Sequence, residues 1–535
     1  MQDDALLKDK SGGRLDWTLA GALGLVGLGG MLALTWYVWP AYLVYADCAP
    51  YILQAHTFSQ GQLTRSAPPE TLAPFFRTNS MIQLDGREFS KQPPGASALF
   101  ALIMLATKDV RWAPPVVSAL ALTFSFLWIR RAYDRLTAFL AVGLCACTFM
   151  HLMLAASVLS YSPSSLFLAV AMLLFAMYLK RPSRQLALFC GLFVGLQFTA
   201  RPFTAVLAAV AMASVRLLLF RRHRGLVLQA LAFATGVIPG VLIFLIHNRL
   251  VTGDWWPLAF SLYDPSDRVG FGPRGVGDFV AMHTPRAALG RLAFNLHTVA
   301  RLFFVPWVWL VPILAWWFDR ILSRSRSEAP RMTRWDFSLI LTVLVLVVGH
   351  TAYWAARPIN YFETYPFLAA LIARGTLYLA TRSPFFRVFA WVTFGSTALL
   401  GAAASWPILA EPVPRVHRIH AVIEQTRERA GPLLVFTSPD HGVQGESIPV
   451  LRDYSEFSAG LFNVSPPCDQ PVIYAVNRGP SNVLLARQYP NHRPFVLLDV
   501  ITDPNDEASP FELHMIPLSR YLQRPATTAA TETKP

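Results

Sequence analysis

Charged residues are scarce in this chain: Asp, Glu, Lys and Arg make up 15% of its 535 residues. Soluble domains carry about 25% charged residues, whereas here 54% of the residues are apolar and the mean hydropathy is +0.40. Cysteine is rare too, and the spacing of the five cysteines gives no evidence for a disulfide framework or a metal site: Cys48, Cys145, Cys147, Cys190 and Cys468. The composition indicates an integral membrane protein.

The net charge of +14 raises the question of nucleic-acid binding. The arginines, however, occur in short clusters between apolar runs, for example Arg130-Arg131 and Arg221-Arg222. Membrane orientation requires basic clusters at such places. We therefore expect membrane lipids, and no nucleic acid, among the partners.

A transmembrane helix needs about 20 mostly apolar residues. Eleven runs qualify or nearly qualify: 17–44, 112–129, 137–158, 163–179, 186–200, 203–220, 225–247, 300–318, 337–356, 362–381 and 387–409. The run 96–107 is too short to span and follows Pro93-Pro94-Gly95, so we expect a helix at the interface or dipping into the bilayer. The first run is too long for a signal peptide, and we expect it to be retained as a helix.

The positions of lysine and arginine predict the orientation. With the N-terminus in the cytoplasm, every short loop with a basic cluster falls on the inner side. The loops 45–111 and 248–299, and the segment after 409, then face outward. Within the second loop, residues 285–299 have the periodicity of a juxtamembrane helix.

Two arginines at short outer turns are exceptions to this charge pattern. Arg201 precedes Pro202, and Arg357 precedes Pro358, each at the end of an apolar run. Either they are interfacial anchors that reach toward the headgroups, or both converge on an anionic ligand at the outer face. We favour the second interpretation because two exceptions occur at one face.

After Pro412 the composition changes, and charges and turn residues return. Residues 416–429 have helical periodicity, and three short apolar runs read as buried strands: 433–437, 472–476 and 495–500. We therefore predict a transmembrane domain over 1–409, a small outward α/β lobe over 410–524 and a disordered tail over 525–535.

The outer stretch from Tyr45 to Gly95 holds the candidate chemistry. Asp47 follows the first apolar run, beside Tyr45 and Tyr51, where partial desolvation favours its use as a base, although the commonest fate of such an aspartate is to face water. Lys91 precedes a Pro-Pro turn, and is either an interfacial lysine or a point charge that binds a lipid phosphate.

Three segments together resemble motifs of bacterial GT-C-type glycosyltransferases, the polyprenyl-phosphate-sugar enzymes that include the protein O-mannosyltransferases and the aminoarabinose transferase of lipid A. They are Asp85-Gly86-Arg87-Glu88-Phe89-Ser90-Lys91-Gln92-Pro93-Pro94-Gly95, Asn248-Arg249-Leu250-Val251-Thr252-Gly253-Asp254 and Arg357-Pro358-Ile359-Asn360-Tyr361-Phe362-Glu363-Thr364-Tyr365-Pro366. Asp47 after the first helix is similar as well. The resemblance covers residues 17 to about 410.

Two positions depart from the family pattern. Members commonly have two adjacent acids after the first helix, whereas Cys48 follows Asp47 here. Many also have a tyrosine or similar residue where this chain has Gln92. The first departure leaves Asp47 as the one candidate base of that site and removes a helper or metal ligand.

The apolar runs and the basic clusters predict an α-helical multi-pass membrane protein of about 11 transmembrane helices, N-terminus in and C-terminus out. The resemblance implies a GT-C-like fold with a periplasmic active site in the bacterial inner membrane. It implies transfer of a monosaccharide from a polyprenyl phosphate donor to a lipid, glycan or protein hydroxyl.

In the reaction that the resemblance implies, Asp47 would be the general base and Lys91 would bind the phosphate, helped by Arg201 and Arg357. Substrate contacts are further expected from Tyr51, Asn360 and Tyr361. The configuration would be inverted.

No cofactor is identified in the sequence, and the need for a divalent metal is left open. A transporter or flippase of a lipid-linked sugar is the alternative, since it would use the same phosphate-binding cations without a catalytic acid. The absence of an evident internal repeat and the placement of charges at helix ends count against it. A structural envelope protein with a degenerate site is the third reading, kept open by the missing second acid.

Overall fold

The structure, a computed structural model, describes residues 12–38, 48–76, 80–219, 225–276, 279–303, 314, 333–381, 384–410, 412–437, 471–501 and 511–523. Its α-helices are α1 (Gly12–Ala33), α2 (Cys48–Ser59), α3 (Pro94–Thr107), α4 (Ala113–Ala132), α5 (Arg135–Cys147), α6 (Phe149–Ala156), α7 (Tyr161–Lys180), α8 (Arg184–Ala200), α9 (Pro202–Leu219), α10 (Leu226–Thr252), α11 (Ala259–Tyr263), α12 (Pro285–Phe303), α13 (Arg334–His350), α14 (Tyr365–Ala380), α15 (Pro384–Ala410), α16 (Pro412–Ala430), α17 (Asn482–Gln488) and α18 (Leu518–Tyr521).

The strands of the described residues form three small sheets. They are β1 (Arg65–Ser66), β2 (Met81–Leu84), β3 (Arg87–Ser90), β4 (Gly272–Val276), β5 (Phe279–His283), β6 (Leu433–Thr437), β7 (Val472–Val476), β8 (Arg493–Ile501) and β9 (Phe511–Pro517). The strand orders are β1-β3-β2, β4-β5 and β7-β6-β8-β9.

The chain divides into two compact units that alternate along the sequence. The first comprises Met1–Val38 and Gln92–Leu409, and the second comprises Trp39–Lys91 and Ala410–Pro535. The first unit is mainly helical, whereas the second combines helices with two of the sheets. The outer stretch that carries Lys91 therefore groups with the C-terminal segment.

Four helices among the described residues are long and apolar enough to cross a membrane: Leu15–Tyr37, Val110–Ala132, Tyr161–Lys180 and Leu226–Thr252. Shorter apolar helices cover further predicted runs, at Pro94–Thr107, Arg135–Cys147, Arg184–Ala200 and Pro202–Leu218. Residues 304–313 and 315–318 of the run 300–318 lie outside the described residues. The total of eleven spans and their orientation stay predictions.

The predicted run 137–158 is two helices instead of one. α5 ends at Cys147 and α6 begins at Phe149, because Thr148 has extended backbone angles (φ −76°, ψ 120°). The Thr148 hydroxyl donates to the Leu144 carbonyl at 2.6 Å, which satisfies an acceptor at the end of α5. Neither proline nor glycine marks this break in the sequence.

Polar side chains set the starts of three helices in the first unit. Asp134 Oδ1 accepts a backbone N–H of α5 at 2.8 Å, and the Ser183 hydroxyl accepts one of α8 at 3.1 Å. Thr333 and Asp336 form a capping box at α13. Since the first N–H groups of a helix lack partners within it, these caps fix the boundaries between apolar runs.

α12 matches the helix predicted at 285–299. Ala288, Asn295 and Val299 are buried on one face, while Leu289 and Phe294 are exposed. A helix with exposed apolar side chains and arginines is typical of a membrane-surface element. The position of α12 relative to the membrane stays a prediction.

α8 and α10 pack through glycines spaced four residues apart on each helix, at Gly191 and Gly195 and at Gly236 and Gly240. A Cβ atom added at Gly191 would lie 2.0 Å from the Phe233 carbonyl oxygen. Small residues at this spacing let two membrane helices approach backbone to backbone. No side chain larger than glycine fits there without a shift of the helices.

We predict that Gly191→Ala destabilises the protein, by about 1–3 kcal/mol, because the added methyl group overpacks the α8–α10 contact. The matched control is Gly143→Ala in α5, where an added Cβ has no neighbour within 4 Å. That change should stabilise by about 0.5–1 kcal/mol, as expected inside a helix. Thermal unfolding midpoints of both variants in detergent check this, and a lower midpoint for Gly143→Ala alone would contradict it.

In the second unit, the three predicted strands are present as β6, β7 and the centre of β8. β6 pairs in parallel with β7 and with β8. β9, for which the sequence gives no prediction, adds an antiparallel edge next to β8. Its apolar residues alternate with Glu512 and His514, so no continuous apolar run marks it.

Two separate chain segments build the core of this unit. Phe75 and Phe76 pack with Leu434, Phe436 and other buried residues of the C-terminal sheet. The Phe75 and Phe436 rings meet edge to face, with centroids 6.4 Å apart. The outer stretch and the C-terminal segment thus share one hydrophobic core.

Asp85 and Gly86 form a two-residue hairpin loop between β2 and β3. Both residues have positive φ, +50° and +71°. In β3, Glu88 is buried and forms an ion pair with Arg65, and it accepts a hydrogen bond from Gln83 Nε2 at 3.2 Å. These contacts give Glu88 a structural role in the hairpin.

Candidate functional site

The predicted base, Asp47, lies outside the described residues. The next residue in the chain, Cys48, begins α2, in which Cys48 and Tyr51 are buried within the second unit. The roles predicted for Asp47 and Tyr51 stay predictions.

Lys91 directly follows β3 at the end of the second unit. Its backbone N–H donates to the Ser80 carbonyl at 2.9 Å, and the residue is partly buried. Pro93 comes two residues later and caps the start of α3 with extended angles (φ −58°, ψ 146°). The backbone around Lys91 is therefore fixed on both sides, by a strand and by a helix start.

Arg201 is the one-residue link between α8 and α9. Its backbone is extended (φ −144°, ψ 83°), and its N–H donates to the Gln197 carbonyl at 2.8 Å. Because Pro202 follows, helical angles are disfavoured at Arg201 and the chain bends there. Proline at the first position then starts α9 without losing a hydrogen bond.

The Arg201 guanidinium forms a buried ion pair with Glu363. Arg201 Nη1 lies 2.8 Å from Glu363 Oε1 and 2.9 Å from Oε2. The side chains are 12% and 1% exposed. The guanidinium carbon also lies 4.2 Å from the centre of the Tyr161 ring, at the start of α7. The Glu363 carboxylate and the Tyr161 ring together hold the Arg201 side chain in one orientation.

The motif that begins at Arg357 folds into a tight turn. Residues Pro358–Thr364 form a 3₁₀-helix, and Asn360 Oδ1 accepts the Arg357 backbone N–H at 2.8 Å. Arg357 is exposed, whereas Tyr361 is buried. Asn360 therefore shapes the turn, and Arg357 is presented at its start.

Tyr361 and its surroundings are polar but enclosed. Asn295 Nδ2 donates to the Ala356 carbonyl at 2.9 Å and lies 3.5 Å from the Tyr361 hydroxyl. Burial raises the pKa of Tyr361, although the contact with Asn295 acts in the opposite direction. The phenol is thus protonated at neutral pH and available as a hydrogen-bond donor.

His350 packs against the same turn. Its Nδ1 donates to the Leu346 carbonyl at 2.7 Å, since a carbonyl only accepts. In the neutral ring Nε2 is then an acceptor for the Thr204 hydroxyl, 3.3 Å away. The centroids of the His350 and Tyr361 rings are 5.8 Å apart. This histidine therefore links α9, α13 and the turn.

No role for Glu363, Tyr161 or His350 follows from the sequence alone. Glu363 lies within the quoted motif, but nothing local pairs it with an arginine 162 residues earlier. Among the described residues, no group of three or more His, Cys, Asp and Glu side chains is placed to hold a metal ion.

We predict that Arg201→Ala lowers the free energy of unfolding by about 3–5 kcal/mol, because it leaves the buried Glu363 carboxylate without its partner. Arg427→Ala is the control, since Arg427 pairs with Glu424 on an exposed helix surface. Thermal unfolding in detergent should show a clearly larger fall for Arg201→Ala. Equal falls would contradict the importance of the buried pair.

No protein-family model matches the chain, and no curated protein matches it. Among solved structures, the chain is similar to ArnT from Cupriavidus metallidurans bound to undecaprenyl phosphate, with 13% identity, 91% of this chain and 93% of that chain covered, and a TM-score of 0.49. The apo state of ArnT gives 14% identity, coverages of 84% and 87%, and a TM-score of 0.45.

The chain is also similar to the oligosaccharyltransferase AglB from Archaeoglobus fulgidus in complex with an inhibitory peptide and a dolichol-phosphate. The identity is 11%, the coverages are 74% of this chain and 55% of that chain, and the TM-score is 0.41. This chain thus spans about half the length of the archaeal protein. At these identities and TM-scores, the function is left to be inferred from the residues of this chain.

Proposed function

We propose that the protein is an inner-membrane glycosyltransferase that moves a monosaccharide from a polyprenyl phosphate donor to an acceptor hydroxyl at the periplasmic face. The observation that carries the proposal is the ion pair between Arg201 and Glu363. This ion pair joins Arg201 to the motif that contains Arg357, the second arginine that is an exception to the charge pattern. Two segments selected on sequence grounds as parts of an anion site therefore meet in the fold.

The proposed reaction needs a base and an anion site. Asp47 removes the proton of the acceptor hydroxyl, and the oxygen attacks the anomeric carbon from the side opposite the phosphate. The bond from the anomeric carbon to the phosphate oxygen breaks, and polyprenyl phosphate leaves with that electron pair. The configuration is inverted. Because polyprenyl phosphate is a good leaving group, one carboxylate suffices, unlike the pair of a glycosidase.

Cations stabilise the negative charge that develops on the phosphate. Lys91 is proposed as the main phosphate ligand, with Arg357 and Arg201 as helpers. The exposure of Arg357 at the start of a rigid turn supports its assignment. The protonated Tyr361 hydroxyl and Asn360 belong to the same turn, and Tyr51 remains a proposed substrate contact.

We predict that Asp47→Asn lowers the rate of sugar transfer about 10²–10⁴-fold, because general-base catalysis contributes that much. Asp85→Asn is the matched control: Asp85 is a hairpin-loop residue with φ +50°, a conformation that asparagine adopts readily. The measurement is transfer from radiolabelled polyprenyl phosphate sugars to candidate acceptors, with purified protein in liposomes.

The same experiment separates the alternatives. If wild type and Asp47→Asn bind the donor equally and neither turns it over, the catalytic assignment fails and a transporter becomes the better hypothesis. A transporter should move the lipid-linked sugar between leaflets in both proteins. A structural protein should be indifferent to changes at both Asp47 and Lys91.

A further inference from the structure

The counter-charge of Arg201 is the Glu363 carboxylate, which changes the electrostatics of the proposed anion site. Glu363 is 1% exposed, and both of its oxygens lie within 2.9 Å of Arg201 Nη1. Apolar residues of similar volume can often replace a buried pair of this kind without loss of stability, although removing one partner alone is costly. Arg201 is in addition held by the Tyr161 ring and by its own backbone hydrogen bond to Gln197.

We propose that Glu363 is a positioning and charge-tuning residue that weakens the hold of Arg201 on phosphate, and weakens it more for the product than for the donor. This inference rests on the proposed function. It assigns to the pair a role in the discrimination between two lipid phosphates that differ in charge.

The charge difference follows from the chemistry. The donor is a phosphodiester with one negative charge. The released polyprenyl phosphate is a monoester, and such a group carries about −1.5 to −2 at pH 7. An arginine without a counter-charge would attract the product more strongly than the donor, so that the product would inhibit the enzyme. The Glu363 carboxylate opposes both anions, and in a medium of low dielectric constant it opposes the more highly charged one more strongly.

The test compares donor KM with the inhibition constant Ki of polyprenyl phosphate, in wild type and Glu363→Gln. Glutamine keeps the shape and an acceptor oxygen but removes the charge. We expect product Ki to fall roughly tenfold relative to donor KM, because one unit charge nearby at an effective dielectric constant of about 20 is worth at least that factor. Glu363→Asp, which restores the charge, should restore the wild-type ratio of Ki to KM.

A second variant should shift the ratio of product Ki to donor KM in the opposite direction. Arg201→Gln leaves Glu363 as an unbalanced negative charge, so product Ki should rise more than donor KM. A merely structural pair predicts the same outcome for both variants, a general loss of stability and affinity, and cannot produce opposite shifts. If Glu363→Gln does not fold, the double variant R201Q/E363Q decides: it also lacks the Glu363 charge, so its ratio of Ki to KM should be lower than that of Arg201→Gln, and an equal ratio would overturn the inference.

Asp336→Asn is the matched control for the loss of a buried carboxylate in the same unit. Asp336 is fully buried and lies 3.7 Å from Arg374, and it belongs to the cap of α13. The variant should leave the ratio of Ki to KM unchanged. An unchanged or raised ratio in Glu363→Gln would overturn the inference, whereas a wild-type protein that transfers no sugar would overturn the proposed function instead.

Discussion

The charge on Arg201 is the constraint on which this end of the helical unit depends. A guanidinium that is 12% exposed needs a partner, and Glu363 supplies it from a turn that follows α13. The turn can reach Arg201 because Pro202 bends the chain between α8 and α9. The ion pair thereby ties α8 and α9 to the 357–366 motif, and the contact of Arg201 with the Tyr161 ring adds α7. The Glu363 charge offsets that of Arg201 where the sequence suggests a cation.

The second unit depends on a hydrophobic core that two distant chain segments build together. The outer stretch between the first two apolar runs is too short to build a core of its own, and it places Phe75 and Phe76 against the C-terminal sheet instead. Burial of large aromatic side chains is a strong stabilising contribution. The backbone that leads to Lys91 therefore takes its rigidity from residues more than 300 positions later in the chain, and the C-terminal segment is structurally necessary to that stretch.

Periodicity and composition predicted most helices and the three central strands, because apolar burial leaves a local pattern. They failed where the determinant is a single backbone angle or a distant partner. Thr148 divides an apolar run that looks continuous, and β9 has only an alternating pattern. Of the candidate site, the sequence predicted the segments around Arg201 and Arg357, but the pairing of Arg201 with Glu363 depends on the tertiary fold.

The missing second acid after the first helix has a physical counterpart in α2. In sequence, Asp47 directly precedes the first residue of this 12-residue helix, and the position of the absent acid is taken by the buried Cys48. In the proposed reaction Asp47 is therefore the single carboxylate that takes the acceptor proton. One carboxylate suffices because the leaving phosphate needs no general acid.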